Sequence, residues 1–163
     1  MRRAIIIGSA VVVALALPAV GLAVMQTQGG GHVNCAASAS SNSGVTTTAT
    51  TFSKISALEL NVESAFGMSE SVTLILSGSP VYLKVIDTSV GGSFPLDPGL
   101  TTLRATPDND APSLTFVTIG LPASHMHTLD VEWRLKSTGG SATIKRSVVN
   151  LLYEAGDAGC PFV

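Results

Sequence analysis

TLDVEWRLK, residues 128–136, alternates without a slip: Leu129, Val131, Trp133 and Leu135 are apolar, and Asp130, Glu132, Arg134 and Lys136 are charged. Side chains along a β-strand point to opposite faces in turn, so this period of two describes a strand with one dry and one wet face. The same period spreads outward. In SVTLILS (71–77), Val72, Leu74 and Leu76 share a face, and Gly78, Ser79 and Pro80 then turn the chain. VYLKVID (81–87) sets Val81, Leu83 and Val85 against Tyr82, Lys84 and Ile86. SLTFVTIG (113–120) places Leu114 with Phe116, and Val117 and Ile119 nearby.

After the turn STGGS (137–141), the run ATIKRSVVNLLYE (142–154) is long for one strand. Val148–Val149 and Leu151–Leu152 break strict alternation there, which predicts a bulge. An earlier strand covers roughly SKISALELNV (53–62), and VTTTATTF (45–52) is β-branched enough to form the first. NVESAFGMSE (61–70) is the best place for a short turn, and no segment after residue 30 has a helical period. Short strands punctuated by Gly and Pro predict an all-β domain over 52–163, an antiparallel β-sandwich of immunoglobulin-like or jelly-roll type with Trp133 in its core. The immunoglobulin hallmark, where Trp packs on a bridge between two central strands, is not reproduced, because the cysteines, Cys35 and Cys160, lie at the two ends of the exported portion.

Residues 1–24, MRRAIIIGSAVVVALALPAVGLAV, form a different unit: Arg2 and Arg3 precede an uncharged apolar run. Positive charge ahead of such a run holds that end in the cytoplasm while the rest crosses. The expectation is one N-terminal hydrophobic helix, either a signal peptide or a signal anchor spanning the membrane through residues 4–24. Pro18 and the small residues Ala19, Gly21 and Ala23 fit cleavage, whereas a run near the roughly 20 residues of a bilayer span fits retention. Residues 25–51 then read as a stalk or linker. Nine of the sixteen residues from Ala36 to Thr51 are Ser or Thr, a composition that suits an extended or flexible segment.

Cys35 and Cys160 are the only cysteines. An even count in an exported chain predicts one disulfide, and two isolated cysteines without CxxC spacing make a poor zinc site. Only 12% of residues are charged, against about 25% in an average domain. Without Arg2 and Arg3, seven basic residues face eleven acidic ones, a balance of −4. The basic residues Lys54, Lys84, Arg104, Arg134, Lys136, Lys145 and Arg146 are scattered along the sequence. That spread argues against a nucleic-acid partner, which needs a clustered basic face.

His125 and His127 in PASHMHT (122–128) form an H-x-H pair, which on a strand would point one way and could share zinc with His32 or Asp130. Two solvent-exposed loop histidines are the plainer reading. Asp108 and Asp110 in PDNDAP lie in an oxygen-rich loop where calcium could sit, but an EF-hand needs a central Gly and a terminal Glu that are absent. Asp/Asn/Pro clusters are ordinary turn chemistry. No G-x-S-x-G occurs, and Glu59, Glu63, Glu70, Glu132 and Glu154 show no paired acid/base spacing. The sequence therefore names no catalytic residue and no cofactor.

These readings converge on a secreted or membrane-anchored β-sandwich outside the cytoplasm, a binding or structural module for a protein or surface glycan of the cell envelope. The contact loops would be PASHMHT and 94–112. One rival is a subunit of an extracellular filament that donates VTTTATTF to a neighbour's sheet. Another is a small metal-dependent hydrolase built on His125 and His127.

Overall fold

The computed structural model describes residues 19–24, 33–63, 65–88, 92–105, 111–119, 126–155 and 160. In chain order its strands begin with β1 (Ala19–Val24), β2 (Val33–Ser41), β3 (Val45–Thr47), β4 (Ser53–Lys54), β5 (Leu60–Glu63) and β6 (Ala65–Gly78). They continue with β7 (Val81–Asp87), β8 (Phe94–Pro95), β9 (Thr101–Leu103), β10 (Ser113–Ile119), β11 (Met126–Leu135) and β12 (Ala142–Ala155). One antiparallel sheet runs β1-β2-β12-β6-β10, with β3 also on β12. The other runs β4-β11-β7-β8, with β5 also on β11 and β9 also on β7. The chain thus folds as a β-sandwich, and among the described residues no helix is long and apolar enough to cross a membrane.

Alternation builds the core. Leu129, Val131, Trp133 and Leu135 of β11 are buried, as are Val81, Leu83 and Val85 of β7, facing Val72, Leu74 and Leu76 of β6 and Val149 and Leu151 of β12. The 3-10 turn Ser56–Leu58 adds the fully buried Leu58. Among the chain crossings that join the sheets at one end of the sandwich, two lie against each other. Ser79 and Pro80 carry β6 into β7, and 136–141 carry β11 into β12. They are stitched together: Ser79 N–H donates to the Ser141 carbonyl at 2.8 Å and Lys136 N–H to that of Pro80 at 3.0 Å. Gly78 sits there at φ +94°, and a Cβ on it would run into the Ser141 carbonyl. Only glycine meets both demands at that corner.

Three sequence expectations change. Of the predicted N-terminal helix, residues 1–18 lie outside the described residues, and the last six form β1, paired with β2 in register from Ala19↔Ser40 to Val24↔Cys35. Pro18 lacks the N–H to continue a helix, and Val20, Leu22 and Val24 alternate with Ala19, Gly21 and Ala23, a period that fits a sheet edge. The Ser/Thr-rich stretch contains β2, which lies between β1 and β12 rather than outside the domain. Cys35, Ala37, Ala39 and Ser41 are its buried face, a two-residue period hidden by the small size of its side chains. In β12 the bulge falls at Lys145, between Ile144 and Arg146. Past it, Ser147, Val149, Leu151, Tyr153 and Ala155 all point inward, so Leu152 is 60% exposed beside a fully buried Leu151.

Candidate functional site

The inward registers of β7 and β11 end in polar residues. Asp87 follows Val85 by two positions and His127 precedes Leu129 by two, so both continue the buried face of their strands. Asp87 pairs with Leu129 across the ladder, which sets His127 diagonal to it. His127 Nδ1 lies 2.7 Å from Asp87 Oδ2, and both side chains are fully buried. A carboxylate accepts only, so the Nδ1 proton donates and the tautomer is fixed by its partner. His127 Nε2 and Asp87 Oδ1 have no hydrogen-bond partner among the described residues.

On the facing sheet, Glu70 of β6 points inward between Met68 and Val72 and is likewise fully buried. Neither of its carboxyl oxygens has a hydrogen-bond partner among the described residues. Burial, and secondarily the charge of Asp130, pushes this carboxyl up to about 8. At pH 7 about nine in ten such carboxyls carry their proton, which is how an apolar interior tolerates the group.

Asp130 lies in the outward register of β11 yet is 1% exposed. Lys54 of β4 covers it at 2.7 Å and also reaches Glu59 at 3.7 Å. Thr88 Oγ1 donates to Asp130 Oδ2 at 3.3 Å. The Lys54 ammonium is held above its ordinary value by its hydrogen bond to Asp130.

A histidine oriented by a carboxylate is one component of general-base catalysis. Here the pair is sealed in the core, out of reach of any external substrate, and it acts as an internal tie between β7 and β11. Of the proposed metal ligands, His127 occupies a buried strand position and not an exposed loop, while His32, His125, Asp108 and Asp110 lie outside the described residues. Among the described residues no group of three His, Cys, Asp or Glu side chains could hold a metal ion. Cys35 and Cys160 are bridged, with Cα atoms 5.7 Å apart, joining β2 to the chain beyond β12.

A second constellation is legible only in three dimensions. Register places all seven basic residues from Lys54 onward in the half of the sandwich that holds the two crossings. Lys54 and Lys84 both pair with Glu132, Arg134 with Tyr82, and Arg146 with Ile75. Arg104 follows Leu103, which pairs with Val81, and Lys136 bonds Pro80. The described acidic residues gather toward the opposite end: Glu63 pairs with Met126, Asp97 bridges Val117, and Glu154 pairs with Gly67. Glu132, bound to Lys84 at 2.9 Å, is the exception on the basic half. Residues scattered in sequence are therefore clustered in space.

Arg134 stands over the rings of Phe52 at 5.0 Å and Tyr82 at 4.8 Å, and donates to the Thr50 carbonyl at 3.3 Å. Lys84 lies 4.2 Å from the Phe52 centroid and Lys136 5.7 Å from that of Tyr82. Beside them a groove of about 470 Å³ opens between β9 and β10, lined by Thr102, Leu103, Arg104, Pro112, Leu114 and Lys136. Alternation could have flagged Asp87 and His127, since each occupies a core-facing position of a strongly patterned strand. No linear signal joins Arg104 to Lys136. The chain matches no protein-family model, and no curated protein matches it in sequence.

Proposed function

We propose that this chain is an exported β-sandwich that serves as a binding module outside the cytoplasm, secreted or held at the membrane by its N-terminal segment. The observation that carries the reading is the Cys35–Cys160 bridge, which spans 125 residues and is a bond of oxidising compartments. The Arg2–Arg3 apolar leader and the low charge of the chain support it. Of the two sandwich types, the strand order favours the jelly roll: strands two, twelve, six and ten form one sheet, and successive strands from β5 to β7 and from β10 to β12 alternate between sheets. Lectin domains are among the proteins built this way, a fold-level analogy that points toward glycan binding.

The test is fractionation of expressing cells, with intact mass and thiol alkylation before and after reduction. A product outside the cytoplasm, alkylated only after reduction, is the expected result. Free thiols in a cytoplasmic product would overturn the reading.

The filament alternative draws on one observation. β1 covers the free edge of β2 with residues of the leader, so cleavage after about residue 21–23 would bare that edge to a neighbour's strand. The donor would not be VTTTATTF, because Val45–Thr47 already pairs with β12. A boiling-resistant ladder of the processed protein would support this reading, and a monomer by size-exclusion chromatography would end it.

A further inference from the structure

We infer that the crossing end of the sandwich is the docking surface for an anionic polysaccharide, a deduction that rests on the binding-module reading and names its partner class. Five cations there form no ion pair among the described residues: Arg104, Arg134, Lys136, Lys145 and Arg146. Arg104 and Lys136 line the groove between β9 and β10, and no carboxylate stands among the described residues of its wall. Arg134 is held in place beside it by Phe52, Tyr82 and the Thr50 carbonyl, so little side-chain freedom remains to be lost when an anion arrives. Lys145 and Arg146 project from the β12 bulge on the other sheet and are exposed. The bulge sets these two consecutive residues outward together, where strict alternation would bury one of them.

The footprint therefore wraps from one sheet's outer face, past the groove, to the other sheet. An extended polymer with repeated negative charge matches that shape better than a single small anion. A second copy of this chain offers a less regular complement, because several of its described carboxylates are engaged within the fold. Glu70 and Asp87 are buried, and Asp130 and Glu59 are taken by Lys54.

Surface plasmon resonance of the disulfide-bonded protein on immobilised heparin, with neutral dextran as reference, tests the inference. Expected is binding on heparin alone, weakening steeply as salt rises from about 50 to 200 mM. Replacing Arg104, Arg134 and Lys136 together by Gln should weaken it about tenfold, or about 1.4 kcal/mol for the three contacts together. These side chains lie on the surface, and circular dichroism checks that the variant folds. Equal signals on heparin and dextran, or an unchanged affinity in the triple variant, would overturn the inference. So would salt-sensitive self-association in sedimentation velocity that the triple variant abolishes while heparin binding persists. An exported, oxidised protein that ignores heparin would leave the binding-module reading standing and remove only this partner.

Discussion

Replacing Glu70 by Gln should flatten the pH dependence of stability between about 4.5 and 8. In the unfolded chain this carboxyl ionises near 4.5, and in the folded protein near 8. Between those values the folded state keeps a proton that the unfolded state has released, so stability falls as pH rises. Each pH unit in the window removes about 1.4 kcal/mol. The loss is about 3 kcal/mol by pH 7 and about 4 kcal/mol at pH 8, and it levels off at about 5 kcal/mol above about pH 9, where both states are ionised. Against a domain stability of about 5–15 kcal/mol this is large. Gln keeps the shape and cannot ionise.

Urea unfolding followed by fluorescence of Trp133, the only tryptophan and 1% exposed, measures the difference between wild type and Glu70→Gln from pH 4 to 8.5. The variant should gain on the wild type steadily across the window. Parallel curves, with a difference constant to about 0.5 kcal/mol, would refute the argument that Glu70 is buried without a partner.

Breaking the internal tie should be costly from either side. Asp87→Ala or His127→Ala alone should destabilise by about 3–5 kcal/mol, whereas the paired change Asp87→Leu with His127→Phe should lose much less, which a double-mutant cycle by urea unfolding measures. Removing the bridge by Cys35→Ser and Cys160→Ser should reduce stability by about 4–5 kcal/mol in the chain-entropy model, seen as a lower Tm that reductant no longer changes. Leu151→Ala should cost about 2–5 kcal/mol and Leu152→Ala no more than about 0.5 kcal/mol, and equal losses in denaturant unfolding would show that the bulge is not at Lys145.

The sequence by itself determined whatever depends on the period of two. β7 and β11 announce their core residues because large apolar side chains alternate with charges, and the pleat converts that order directly into inside and outside. The pairing of Cys35 with Cys160 followed from count and compartment. Extended by two residues, the same period would have put Asp87 and His127 in the inward register, but it could not have said that they meet, since contact between β7 and β11 is a matter of strand neighbours.

Tertiary structure decided the rest. β2 went unread because its buried face is Cys, Ala and Ser, too small to mark an apolar stripe, and it becomes interior only because β1 and β12 lie beside it. Asp130 looked like a solvent-facing charge until β4 laid Lys54 across it. The basic end was invisible because Arg104, Arg134 and Lys145 belong to different strands or the loops beside them, and chain order cannot say which strand ends coincide. That is fixed by the pairing register of the strands and by the crossings at that end, two of which are held together by the hydrogen bond from Ser79 to Ser141.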